Sequence, residues 1–272
     1  MRSVKIKEVI DALERFAPLP LQEEYDNAGL QVGLTEAEVS GALLCLDVTE
    51  RVVDEAITKG CNLIVAHHPL IFRKLSQVTD ANYVQRTVIK AIKNDIVIVA
   101  MHTNLDAAFG GVNFKIAEKL RLRDVRFFGR EKVVTNPLTD KKVTGGDGVI
   151  GCFDTPLAAD DLILLLKKEF DVECVQANEL LRRDIRTVAL CGGSGSFLLQ
   201  DAINAGADAF ITGEMGYHEF FGHEQEIQLC VIGHYQSEQY TTEVLRDVIE
   251  RDCPGVKCCI SEINTNPIVY FS

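Results

Sequence analysis

The sequence predicts an α/β fold built from two related halves, and three observations predict it. Short apolar strands alternate with amphipathic helices in the order that builds a parallel sheet. The same order of strand, helix and glycine returns at an offset of 146 residues, so the chain reads as an internal duplication. Three apolar runs end in histidines, two of them opening a His-x-x-x-acid string, and sites in such sheets form outside the carboxyl ends of the strands. A metal site at the strand C-terminal ends, between the two halves, is therefore the expected centre of function.

The elements follow in order. Ile6, Val9, Ile10, Leu13 and Phe16 recur at helical spacing, and Pro18 and Pro20 end that helix. Asp26-Asn27-Ala28-Gly29 is a turn signal ahead of Leu30-Gln31-Val32-Gly33. Ala42 to Leu46 reads as a strand and Glu50 to Lys59 as a helix, with Thr49 as N-cap and Gly60 past its end. Leu63 to Ala66 is a buried strand, Ala81 to Asn94 a helix, Ile96 to Ala100 a strand and Gly111 to Lys119 a helix. Asn136 to Gly148 carries the Gly, Pro, Asn and Asp of an exposed loop or hairpin. Val149 to Phe153 then reads as a strand, Asp160 to Phe170 as a helix and Val172 to Val175 as a strand. At the offset of 146, Leu44-Cys45 falls on Leu190-Cys191, Gly60 on Gly206 and Leu63–Ala66 on Ala209–Thr212; beyond it an offset of 132 takes His102 to His234 and Asp106 to Glu238. We place the first half at 1–125 and the second at 126–272, with a small α/β extension over 126–185.

Composition narrows the function. A net charge of −12 argues against nucleic acid as a partner, because a grip on phosphate backbones needs dense Lys and Arg. It leaves room for one small anionic substrate held by a metal. No apolar run approaches the ~18 residues of a membrane span. The start, Met1-Arg2-Ser3-Val4-Lys5-Ile6-Lys7, lacks the apolar region of a signal peptide. The nine cysteines are odd in number and form no CxxC pair, which fits buried thiols in a reducing cytoplasm. Cys258 and Cys259 point to opposite faces of a strand.

The chemistry concentrates in His67, His68, His102, Asp106, Glu214, His234 and Glu238, all of which follow strands. Imidazoles with carboxylates suit Zn, Mn, Fe or Ni. His67 and His68 diverge along an extended chain, so they serve either two metals or one metal and a supporting contact. Asp106 is alternatively a helix cap, and Glu238 alternatively a solvated helix acid. If Ser237 or Glu238 opens the last helix, the acid sits near a positive dipole end and can bridge two cations. Gly192-Gly193-Ser194-Gly195-Ser196 is either a phosphate cradle or a tight strand–helix turn, and it lacks the P-loop lysine. His223 with Glu224 and Glu226 reads as a solvated face.

Five strings carry a resemblance to a known family: Asp26-Asn27-x-Gly29-Leu30-Gln31-Val32-Gly33, His67-His68-Pro69-Leu70-Ile71-Phe72, His102-Thr103-Asn104-Leu105-Asp106, Ile211-Thr212-Gly213-Glu214 with Tyr217-His218, and Gly233-His234-x-x-Ser237-Glu238. Together they resemble the dinuclear metal-centre family whose members are called GTP cyclohydrolase 1 type 2 homologs. The resemblance runs from about residue 5 to the C-terminus. It implies two divalent ions per chain, His68 and Asp106 holding one, His67 and His234 the other, and Glu238 bridging both. It implies a homo-oligomer, often a ring-shaped hexamer with the metal sites facing an inner cavity. Ser237 stands where many relatives have Thr. Some relatives carry an inserted domain for which this chain is too short.

What the residues support is metal-activated hydrolysis, and the resemblance implies a nucleotide-like substrate, with GTP as one candidate. For GTP, attack at C8 opens the purine imidazole ring and releases formate, and Glu214, His218 and His102 are the candidates for proton transfer. Glu214 is the offset-146 counterpart of His68. A metallophosphoesterase or amidohydrolase would use the same ligands, and a non-catalytic regulatory ring would use the metal for structure.

Overall fold

The computed structural model describes residues 3–271. Met1 and Arg2, which begin the N-terminal stretch weighed above, lie outside them. In chain order the elements are α1 (Ile6–Phe16), β1 (Gly29–Val32), β2 (Ala42–Cys45), α2 (Glu50–Lys59), β3 (Leu63–Ala66), α3 (Tyr83–Lys93), β4 (Val97–Ala100), α4 (Thr103–Asp106), α5 (Val112–Lys119), β5 (Arg123–Thr135) and β6 (Lys142–Leu157). They continue with α6 (Ala159–Glu169), β7 (Gln176–Ala177), β8 (Ile185–Cys191), α7 (Leu199–Asn204), β9 (Ala209–Thr212), β10 (Gln228–Val231), α8 (His234–Glu238), α9 (Thr241–Asp252) and β11 (Cys258–Ile260).

Contacts group the chain into two units. The first takes the residues up to Leu105, Thr135–Lys142 and the chain from Thr241 onward; the second takes Asp106–Val134 and Val143–Tyr240. A cut at residue 125 follows sequence order, whereas by contacts the C-terminal helix α9 and β11 go with the first sheet.

The first unit is built on a sheet of order β1-β4-β3-β2-β11. Every residue of β2, β3 and β4 is buried, as expected of strands covered on both faces. Leu43, Ile64 and Ile98 meet Val52 and Val53 of α2 and Val88 of α3 in one apolar core. Burying each such side chain contributes ~1.5–3 kcal/mol. Thr49 caps α2 by accepting from Val52 N–H, and Gly60 ends it at φ 69°, where a side chain would be strained. Asn82 caps α3 in the same way through Gln85 N–H.

The second unit repeats this plan in the sheet β5-β6-β8-β9-β10-β7. Leu44 pairs with Val65 in the first sheet, and their offset-146 counterparts Leu190 and Ile211 pair in the second. The helix ends match as well: Gly60 N–H donates to Ile57 and Cys61 N–H to Ala56, just as Gly206 donates to Ile203 and Ala207 to Ala202. On the third strand the duplication drifts by one residue. Ala66 pairs with Ala100 and Thr212 with Val231. Met101 alone then precedes His102, whereas Ile232 and Gly233 precede His234. Gly233 takes the left-handed region at φ 94° just before His234.

Several expectations need correction. The sheets are mixed rather than purely parallel: β1 runs antiparallel to β4, β7 to β10 and β6 to β8. Val172 to Val175 is not a strand; only Gln176 and Ala177 pair. The turn over residues 136–148 is confined to the tip, because β6 begins at Lys142. At that tip the Asn136 side-chain amide donates to the Glu14 and Arg15 carbonyls. The last helix opens at Thr241, and Glu238 ends the short helix α8 that His234 begins, so neither Ser237 nor Glu238 sits at its N-terminus. Among the described residues no helix is long and apolar enough to cross a membrane. All nine cysteines are free, five of them buried and Cys174 exposed.

Candidate metal centre

In the first unit, three histidines converge where β3 and β4 end. The His67 and His68 rings lie 4.8 Å apart, and each is 5.4 Å from the His102 ring. One ring nitrogen from each falls within 4.8 Å of the others, so the trio can hold a metal ion. Pro69 turns the chain after the pair, and the buried strand delivers His67 into the interior with no exposed surface.

Each of these rings is held at Nδ1. His67 Nδ1 lies 2.8 Å from the Met101 carbonyl. His68 Nδ1 lies 2.8 Å from Asp47 Oδ1, whose other oxygen accepts from the Thr265 hydroxyl at 2.7 Å. His102 Nδ1 lies 2.7 Å from Asp26 Oδ1. The partners are acceptors, so each Nδ1 donates, an arrangement that turns Nε2 toward a metal when one is bound.

The two aspartates were not among the residues singled out as chemical. Burial opposes the charge on Asp26, but the hydrogen bond from His102 and those from Thr103 and Asn27 outweigh it, bringing its pKa down to about 2. Burial likewise opposes the Asp47 charge, and the bonds from His68 and Thr265 pull its pKa below the usual carboxylate value. Asp26 stood in the sequence as part of a turn signal. Asp47 directly follows the β2 run, the same strand-end signal that marked the histidines.

In the second unit, Glu238 is buried at 4% exposure, and its Oε2 lies 3.2 Å from His234 Nε2. His234 Nδ1 lies 2.9 Å from Glu214 Oε1, and the other Glu214 oxygen accepts from the Ser194 hydroxyl. That hydroxyl, with the charge of His234, lowers the Glu214 pKa against the effect of burial. Asp106 closes α4, and its carbonyl accepts from Asn113 at 3.2 Å. Burial, aided by the charges of Asp106, Glu238 and Asp147, pushes the Cys191 thiol well above its ordinary value. Asp106 and Glu238 therefore share one acidic neighbourhood. His218 is exposed on the turn Tyr217–Phe220, with the Tyr217 and Phe221 rings as neighbours.

The glycine loop is the tight turn rather than a phosphate cradle. Its N–H groups are already engaged: Gly192 with Asn113 Oδ1, Gly193 with Ser237 Oγ and Gly195 with Thr212 Oγ1. Its function is space. A Cβ on Gly193 would collide with Glu238 Oε1, and one on Gly213 would lie 2.7 Å from Ser237 Oγ. His223 pairs with Glu226 at 2.9 Å.

Imidazoles held at Nδ1 and buried or half-buried carboxylates form a donor set suited to a divalent first-row metal. A family model described as Duf34/NIF3 (NGG1p interacting factor 3) matches residues 4–267. The chain is 33% identical over 271 residues to a GTP cyclohydrolase 1 type 2 homolog of Clostridium perfringens, covering 98% of this chain and 100% of that one. It is 32% identical over 251 residues to a protein of the same name from Clostridium acetobutylicum, covering 91% and 90%. Among solved structures, a hypothetical protein of Staphylococcus aureus matches with a TM-score of 0.88 at 28% identity, covering 99% of this chain and 100% of that one. A Bacillus cereus protein related to NIF3 matches with a TM-score of 0.86 at 25% identity over the whole of both chains.

Proposed function

Because the chain belongs to the Duf34/NIF3 family, we propose that it is a metal-dependent hydrolase whose His67, His68, Asp106, His234 and Glu238 together bind two divalent ions. His68 and Asp106 would hold one ion, His67 and His234 the other, and Glu238 both. The observation that carries this reading is the treatment of the histidines. His67, His68 and His234 each have Nδ1 engaged by a carbonyl or carboxylate, the arrangement by which proteins aim an imidazole Nε2 at a metal. The space that Gly193 leaves beside the Glu238 carboxylate supports it independently.

When bound, such a pair of ions supplies Lewis acidity that brings the pKa of water down from ~15.7 toward ~7. The substrate class is nucleotide-like. The relatives' shared name favours GTP, with hydrolytic opening of the purine ring at C8 and release of that carbon as formate. Glu214, His218 and His102 are the proposed proton-transfer groups, and the Glu214 carboxylate also steadies His234. We place the protein in the cytoplasm as a homo-oligomer, with a hexamer as the expected state.

Elemental analysis of protein purified without added metal tests the reading. It should approach two divalent ions per chain, and Glu238→Ala should lose both. Full occupancy in Glu238→Ala removes the bridging role; a metal-free wild-type chain that takes up no zinc on titration removes the metal reading.

A further inference from the structure

We infer that Cys61 and Cys259 are a dithiol pair that closes to an intramolecular disulfide when a low-molecular-weight disulfide is present, a modification site that ties the edge strand β11 to the turn between α2 and β3. The site is separate from the candidate metal centre. Cys61 precedes β3 and His67 follows it, so the two stand at opposite ends of that strand.

The sheet sorts the cysteines by face. β11 runs parallel to β2, with Cys258 beside Ala42 and Cys259 beside Leu43. Side chains alternate across a strand, so the two adjacent cysteines face opposite sides of the sheet. Cys259 packs against the core that contains Leu43, Ile64 and Val53, and Cys61 belongs to that same core. Cys258 faces the other side, where burial, aided by Glu250 of α9, pushes its thiol up to about 11. The Cys253 thiol lies against the Glu8 carbonyl of α1 at 3.6 Å.

A glycine sets the position of Cys61. A Cβ on Gly41, the residue before β2, would lie 3.0 Å from Cys61 Sγ and 3.6 Å from its Cα. The Cys61 sulfur therefore occupies the space that Gly41 leaves open. Gly41 and Leu43 share one face of their strand, the face toward which Cys259 points. There the Cys259 thiol is a hydrogen-bonding neighbour of Cys61; burial, then the charge and hydrogen bond of Cys259, push the Cys61 thiol up to about 11. The Lys59 carbonyl is the other contact of Cys61 Sγ, at a long 4.0 Å.

Cys61 is 3% exposed and Cys259 half-buried, so an external reagent reaches Cys259 first. The Cys259 thiolate would attack one sulfur of the small disulfide and release the other half as a thiol. The Cys61 thiolate would then attack the Cys259 sulfur of that mixed disulfide and release the second half. The protein gives up two thiols, the reagent is reduced to two, and the two protons leave on the released thiols. A raised pKa handicaps a thiol against outside reagents, which suits Cys61 to the second, intramolecular step. Just beyond β11, Ser261 N–H donates to the Leu44 carbonyl at 2.8 Å and Glu262 N–H to Glu55 Oε1 at 2.8 Å. The bond would thus form where the C-terminal segment rejoins the first sheet.

The test treats the folded, full-length protein with oxidised glutathione, quenches it in acid and maps its peptides by mass spectrometry without reduction. The expected product joins the peptide bearing Cys61 to the one bearing Cys258 and Cys259, two hydrogens lighter than their sum, within a single chain on a non-reducing gel. The link should persist in Cys258→Ser and vanish in Cys259→Ser. In Cys61→Ala, glutathione should instead remain on Cys259. Absence of the link in the wild type overturns the proposal, as does a lasting glutathione adduct on wild-type Cys259, which would put Cys61 out of reach. A link that survives in Cys259→Ser, a Cys253–Cys258 bond in its place, or a bond between chains overturns it as well. The wild-type map needs no variant, so it decides the matter even where Cys61→Ala fails to fold.

Discussion

Gly193→Ala should damage the second unit more than Gly206→Ala, and the difference measures the room reserved for Glu238. Both glycines sit in the left-handed region, at φ 59° and 73°. Both substitutions therefore carry the same backbone penalty, ~1–2 kcal/mol for an L-residue in that conformation. They part at the side chain. Around Gly206 nothing lies within 4 Å of the new Cβ. At Gly193 the Cβ would run into Glu238 Oε1, with Glu238 Cδ and His234 Cε1 each at 3.4 Å. The carboxylate is buried at 4% exposure, so relief means swinging it within a packed site or shifting the loop. Overpacking of that kind costs ~1–3 kcal/mol. With a urea dependence of ~1–3 kcal/mol per molar, Gly193→Ala should unfold ~1 M urea earlier than Gly206→Ala. The chain has no tryptophan, so far-ultraviolet circular dichroism is the suitable probe. Zinc content adds a second axis: Gly206→Ala should bind like the wild type and Gly193→Ala should bind less. Equal midpoints and equal zinc content for the two variants would show that Gly193 serves only the turn.

Glu214→Ala frees His234 Nδ1 and should weaken zinc binding ~10–100-fold, the usual effect of removing such a support; competition against a chromogenic chelator reads it, and an unchanged Kd refutes the supporting role. Away from the centre, Asp208 accepts from Arg186 N–H at 3.0 Å and Thr187 N–H at 2.9 Å. Burial opposes its charge, but these bonds and Arg183 hold its pKa below the ordinary 3.8. A depressed folded pKa stabilises fully above the unfolded value and is lost as pH falls through the folded one. Acid titration of stability below pH 3.8 should therefore be flatter in Asp208→Asn, and identical slopes would contradict the assignment.

The sequence exposes what local chemistry determines. Helical spacing and the proline stop place α1 at Ile6–Phe16, and the threonine cap and trailing glycine place α2 at Glu50–Lys59, both as observed. Strand direction is not a local property. Gly29–Val32 and Gln176–Ala177 run antiparallel at their sheet edges because of the partners they meet, and nothing in four or two residues encodes that. The turn residues over 136–148 were real punctuation, but ladder pairing carried β6 back to Lys142. At the candidate centre the histidines announced themselves by ending apolar runs. Asp26 could not, since its partner His102 lies 76 residues away and a turn aspartate has many commoner explanations.

The one-residue drift at the third strand separates two copies of a shared ancestral plan. His102 and His234 are counterparts, each steadied at Nδ1 by an acid, yet the acids come from unrelated places: Asp26 from the segment before the first sheet, Glu214 from the end of β9. Glu214 itself stands at the position that His68 occupies in the first copy. A duplicated scaffold of this kind lets one position carry a histidine in one copy and a buttressing carboxylate in the other without disturbing either sheet. Glu214→His would return the second copy to the state of the first, and it offers a route to building a histidine cluster where the chain now has a carboxylate.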